Sequence, residues 1–223
     1  MGSTLSCFEI MSSNIAAAAA TPQAAATATK STPTTETSKS SSNNTTVEDA
    51  VTRLKELGIN LLAIDFDQTI VSVHTYGRWK DTVPALIPHI RTELKQLILL
   101  SVQNDIQIAI VTFSPQIRIV RGILEAIFAD DNPEFAQTIP IRGGDRSWEY
   151  KGNGSLNGKQ PHIASAVEEL EHRDRSIEIT RSTTVLIDDD DKNIVVALNE
   201  GTRAVWLNPK KPHRLFKDIK RLV

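Results

Sequence analysis

Short apolar runs alternate with stretches of helical spacing along most of this chain, and that alternation leaves few folds open. A first strand is expected over Leu61 to Phe66, a second in DIQIAIVTFS, a third around Thr138 to Arg142, a fourth in TTVLIDDDD and a fifth in RAVWLNP. Between them apolar residues recur every three or four positions. Val47, Val51, Leu54 and Leu57 share one helical face, with Thr46 as N-cap and Gly58 as a stop. A long helix is expected from about Pro84 to Val102, others over Pro115 to Phe128, from Pro161 onward, and over KNIVVALNE up to Gly201. Strands joined through helices pair in parallel. The economical fold is therefore α/β: a three-layer, doubly wound, Rossmann-like parallel sheet with helices on both faces. In such a sheet the carboxyl ends of the strands share one edge, where ligands bind.

Those ends carry unusual chemistry. The run NLLAI leads directly into Asp65, Phe66 and Asp67, and the run TTVLI leads into Asp188, Asp189, Asp190 and Asp191. A buried carboxylate costs several kcal/mol unless it is paired or binds a metal, so these acids do not serve stability alone. Two like charges about 4 Å apart repel by roughly 4 kcal/mol at an effective dielectric near 20. Several acids on one edge therefore need a cation. Lys159, just ahead of a helix, supplies part of it, and Thr112, at the end of the second strand, offers a hydroxyl to an anion. Asp190 and Asp191 read as the acidic N-terminus of the helix that follows.

Taken in order, DFDQT, VTFS, GKQPH and LIDDDDKN resemble the four motifs of the haloacid-dehalogenase-like superfamily, over about Asn60 to Leu207. The resemblance implies a Mg2+-dependent phosphomonoester hydrolase. Asp65 would be the nucleophile that forms an aspartyl-phosphate, and Asp67 the acid that protonates the leaving group and then activates water. Thr112 and Lys159 would bind the phosphate, Lys159 also serving catalysis. Asp65, Asp67, Asp188 and Asp189 would form the oxygen site for Mg2+. Thr69 is expected to orient the Asp67 loop. A carboxylate at Asp67 is associated with the phosphatases and phosphomutases of that superfamily. Two positions depart from its pattern: Gln68 stands where Gly is frequent, and Phe113 where a small polar residue is common.

Many members carry a cap domain over the site. Here the connections 71–83 and 143–157 are too short to build a core, so no separate cap domain is expected and the site should be open. By family analogy, capless members often act on phosphoproteins or other large phosphorylated molecules, and some take small phosphate esters. His74, Tyr76, Arg78 and Trp79 in the first connection, with Arg142, Arg146 and Trp148 near the second, are candidate substrate contacts or ordinary loop packing. Two other functions stay open: a phosphotransferase or phosphomutase with the same covalent step, and a non-catalytic, membrane-tethered module that binds a phosphorylated ligand.

The chain divides into a tail, 1–46, and a domain, 47–223. From Ser12 to Thr46 it is mostly Ala, Ser and Thr, too poor in apolar area to offset its chain entropy, and reads as disordered. The opening MGSTLSC fits an N-myristoylation pattern at Gly2, with Cys7 placed for palmitoylation. An ordinary N-terminus and, more weakly, a transit-like leader are the alternatives. A net charge of -2 and a pI of about 6.2 give no footprint for nucleic acid. One cysteine, no signal-peptide core and no membrane-length apolar run suit a soluble cytoplasmic protein, membrane-anchored if Gly2 is acylated. Basic residues in KKPHRLFKDIKRLV alternate with apolar ones as on an amphipathic helix, which could meet an anionic surface.

Overall fold

The computed structural model describes residues 45–223. Gly2, Cys7 and the Ala/Ser/Thr-rich segment, with the acylation and disorder expected there, lie outside the described residues. Helix α1 (Val47–Glu56) begins at Thr46: its hydroxyl accepts from the Asp49 amide, and the Asp49 carboxylate accepts from the Thr46 amide. This reciprocal cap satisfies two donors that the first helical turn leaves free. The chain then reverses at Gly58, where a φ of +68° suits a residue without a Cβ.

Five strands form one parallel sheet: β1 (Leu61–Ile64), β2 (Gln107–Val111), β3 (Ile141–Arg142), β4 (Thr184–Asp188) and β5 (Arg203–Trp206). Their order is β3-β2-β1-β4-β5. The chain winds outward from β1 through β2 to β3, then crosses back to β4 and β5. The two directions part between β1 and β4, where Ile64 pairs with Ile187 and the Asp65 amide donates to the Ile187 carbonyl at 2.9 Å. In parallel register, Asp65 and Asp188 therefore come side by side at the topological switch point.

Alternation along β1 separates two cores. Leu62 and Ile64 pack into the larger one, with α1, α3 (Thr92–Val102), α4 (Ile117–Phe128) and α8 (Leu215–Lys220). Leu61 and Ala63 face the smaller one, with Ile163, Ala166 and Leu170 of α6 (Gln160–Arg173) and Ala197 of α7 (Asp191–Asn199). β1 is buried on both faces, as a central parallel strand requires. The short helices α2 (Val83–Leu86) and α5 (Phe135–Thr138) complete the set.

The fold differs from expectation in three places. The long helix expected from Pro84 to Val102 is broken into α2, a 3-10 turn at Ile87–His89 and α3. Pro88 has no amide to donate, and Ile90 turns extended to bridge antiparallel to Val71. β1 ends at Ile64 rather than Phe66, because the chain winds into a tight turn at Phe66–Ile70. β3 is two residues long, Thr138 belonging to α5 instead.

At the C-terminus, Leu215, Phe216 and Ile219 are buried in the domain's own core. The basic residues of that helix face solvent, and the apolar face made by Leu215, Phe216 and Ile219 is already covered. Among the described residues no helix is long and apolar enough to cross a membrane.

Candidate active site

The turn after β1 aims two carboxylates in different directions. Asp65, at the strand end, is extended, with φ -71° and ψ 165°, and the residue is 6% exposed. Gln68 takes a left-handed φ of 56° and ψ of -4°, a conformation that costs an L-residue about 1 kcal/mol or more. Its amide donates to the Val73 carbonyl at 3.0 Å, and its carbonyl accepts from Arg91 Nε and Nη2, both at 3.2 Å. These bonds hold the turn in spite of the strain.

Lys159 stands immediately before α6 and is almost fully buried. Its Nζ donates to Asp65 Oδ1 at 2.7 Å and to the Val111 carbonyl at 2.8 Å, and lies 4.0 Å from Asp188 Oδ2. It also sits 4.1 Å from the centre of the Phe113 ring. Asp188 accepts from the Asp190 amide at 2.9 Å and from Asn193 Nδ2 at 3.0 Å. Asp189 accepts from the Thr69 hydroxyl at 3.4 Å.

One ammonium faces two carboxylates, Asp65 and Asp188, with Asp189 beside them. Burial pushes the Asp65 carboxyl upward against the pull of Lys159. Asp188 is raised to about 7, first by burial and then by the Asp65 charge, and Asp189 to about 6 by the same two causes. Carboxylate oxygens from Asp65, Asp188 and Asp189 lie within 4.8 Å of one another. Three hard oxygen donors around an uncompensated negative charge fit a hard divalent cation such as Mg2+.

Asp67 does not share that cluster. Its carboxylate accepts from the Thr75 hydroxyl at 2.7 and 3.0 Å and from the Thr75 amide at 3.2 Å, and lies 2.9 Å from His74 Nδ1. Thr75 and His74 hold the Asp67 side chain at the cleft wall, so of the four acids expected around the metal it is the carboxylates of Asp65, Asp188 and Asp189 that cluster. Thr69, in the same turn, bonds Asp189, while Thr75 and His74 hold the Asp67 carboxylate. No spacing rule pointed to these two, since they sit in a polar connection without periodicity.

Thr112 is buried, and its hydroxyl oxygen accepts from the Ser114 amide at 3.1 Å, which leaves the hydroxyl proton to donate. Asp65, Asp67, Thr112, Lys159, Asp188 and Asp189 all line one open cleft of about 750 Å3. His74 and Tyr76 line it as well, and so do Ser114, Asn193 and Trp206, which sequence reading did not single out as site residues.

The remaining loop candidates are structural or lie outside the cleft. Arg142 is buried and donates to Ser165 and Glu169. Trp79 clamps the Gln116 amide through its own backbone, at 2.6 and 2.9 Å. Trp148 donates to the Gly143 carbonyl and packs on His162. Burial, with the Lys159 and Arg142 charges, lowers His162 to about 4, so its ring is neutral packing between Trp148 and Phe113. Arg78 and Arg146 are not among the residues around the cleft.

Fold and site together define an α/β protein with a Rossmann-like, all-parallel sheet and an acidic cleft at its switch point. No family model and no curated protein matches the chain. Among solved structures, that of a hypothetical protein from Xanthomonas campestris is similar to it at 13% identity and a TM-score of 0.41, over 85% of this chain and 91% of the other. A likeness that distant carries no argument about activity.

Proposed function

We propose that this chain is a metal-dependent phosphomonoester hydrolase of the capless haloacid-dehalogenase-like type, working through a covalent intermediate on Asp65. The observation that carries the proposal is the division of labour between two aspartates on one turn. Asp65 is buried beside the Lys159 ammonium and two further acids, and Asp67 is held apart at the cleft wall by neutral donors and His74. A nucleophile and an acid–base group need that separation.

In the first half-reaction an Asp65 carboxylate oxygen attacks phosphorus. The bond from phosphorus to the ester oxygen breaks, and Asp67 delivers its proton to that oxygen, so a neutral alcohol leaves. In the second half, Asp67 as carboxylate takes a proton from water, whose oxygen bonds to phosphorus while the bond to Asp65 breaks. Phosphate departs, and both aspartates return to their starting forms. Lys159 and the Thr112 hydroxyl are placed to hold non-bridging oxygens, and Lys159 keeps one Asp65 oxygen fixed. A divalent cation held by Asp65, Asp188 and Asp189 would neutralise charge on the transferring group.

The test is acid-quenched labelling by a phosphoryl donor, followed by peptide mapping. Label is expected on Asp65 alone in the wild type and nowhere in Asp65→Asn, because an amide is a poor attacking group. Label on another residue, or full activity of Asp65→Asn, rejects the mechanism.

A further inference from the structure

Among the described residues eight large hydrophobic side chains stay exposed, and three of these are aromatic: Tyr76 at 76%, Phe113 at 57% and Trp206 at 46%. All three aromatics line the cleft, and none of the five aliphatic ones does. Exposed apolar side chains scattered singly need no explanation, but rings gathered around one pocket do. Each is also tethered to the polar site. Tyr76 stacks on His74, with centroids 4.1 Å apart and planes 10° from parallel, and His74 bonds Asp67. Phe113 lies against the Lys159 ammonium and meets the His162 ring edge-on at 5.3 Å. Trp206 Nε1 donates to the Asp189 carbonyl at 2.7 Å.

Rings held in place lose little freedom when a ligand packs on them, so they favour flat partners at low entropic cost. The charge of the same wall narrows the partner further. Six aspartates and one lysine line the cleft, with no arginine. Even with a divalent cation the sum is negative, which repels an acidic leaving group and offers nothing to hold a second phosphate.

We propose that this cleft, on the phosphoryl-transfer reading above, selects phosphate monoesters whose leaving group is uncharged and carries a planar ring. Two sources share that chemistry, a nucleoside monophosphate and a phenolic ester such as phosphotyrosine.

The test pairs benzylphosphonate with cyclohexylmethylphosphonate, which have the same carbon skeleton but differ in planarity, titrated calorimetrically into the full chain with Mg2+. Benzylphosphonate should bind about tenfold tighter, the scale of one or two aromatic contacts. Tyr76→Ala should narrow that ratio to about threefold or less, and Tyr76→Phe should keep it. Equal affinities, or no binding of either compound, overturn the proposal. Phosphate release from the matching benzyl and cyclohexylmethyl esters separates the two hypotheses. Equal release from both removes the ring preference and leaves the hydrolase, whereas ring-dependent binding without any release does the reverse. A nucleoside 5′-monophosphate against ribose 5-phosphate, and phosphotyrosine amide against phosphoserine amide, then distinguish the sources. A Tyr76-dependent preference in at least one pair is expected, and none in either overturns the proposal.

Discussion

Asp65 and Asp67 are two residues apart and end in opposite environments. Asp65 lies at the floor, 2.7 Å from a lysine that is itself 1% exposed. Asp67 sits on a wall built by Thr75 and His74, with His74 and Tyr76 reaching solvent above it. The floor is a place where charge is expensive and every partner matters. The wall is one where hydrogen bonds aim a group that, on the proposed mechanism, exchanges protons with water. The difference teaches that burial and chemistry are divided along this turn, and that lesions on the two sides should fail differently.

The largest effect is expected on the floor. Lys159→Met removes the ammonium that faces Asp65 and Asp188 and leaves both acids buried without it. Breaking a buried pair in this way costs about 3 to 5 kcal/mol of stability, and turnover should fall with it. Denaturant melts and phosphate release check both, and a variant as stable and active as the wild type would remove the electrostatic account of the floor.

Next comes the wall. On the proposed mechanism, Asp67→Asn keeps the nucleophile and loses the proton donor and base, so turnover should drop by about 10² to 10⁴ with little change in stability. With good leaving groups the variant should still become labelled and then stall. If Asp67→Asn destabilises the protein as much as Lys159→Met does, the division between floor and wall is wrong.

The third effect is pH-linked. Asp188 and Asp189 rise from 3.8 to about 7 and about 6, so in metal-free protein the folded state holds more protons than the unfolded one between those values. The stability they contribute is fully present below the unfolded value and is lost as pH climbs through the folded values. Chelator-treated protein should therefore melt at lower temperature as pH rises from about 5 to 8. Mg2+ should restore it most at the upper end, where protons compete least for the ligands. Asp188→Asn should flatten the slope and need more Mg2+. A chelated protein that gains stability over that range would contradict the charge balance assigned to the floor.

The smallest effect tests the turn that joins the two sides. Gln68→Gly relieves the left-handed strain at φ 56° and should stabilise the fold by up to about 1 kcal/mol, less the entropy glycine loses on folding. Thermal melts read it. A clear loss of stability would mean that the Gln68 side chain, rather than its backbone bonds to Val73 and Arg91, holds the turn.

The strand–helix alternation, the capped first helix and the acids at two strand ends are all local signals. They are legible because hydrophobic period, cap chemistry and strand termini depend on neighbours in the chain. Thus Asp65, Thr112, Lys159, Asp188 and Asp189 could be placed on one edge without coordinates. The break at Pro88 was also local, but the strong apolar periodicity on either side masked it.

What only the tertiary structure decided are pairings across long separations. Which acids share the cluster, that Thr69 serves Asp189 120 residues away, and that Thr75 and His74 turn Asp67 aside all follow from how the turn closes on β4 and on its own loop. The gathering of Tyr76, Phe113 and Trp206 around one cleft has the same origin. Tyr76 lies in the connection after β1, Phe113 in the one after β2, and Trp206 ends β5, and only the parallel register of β1 with β2 and β4, and of β4 with β5, brings them to a common edge. Side-chain direction at a strand end depends on that register and on backbone angles such as those of Gln68, which no periodicity records.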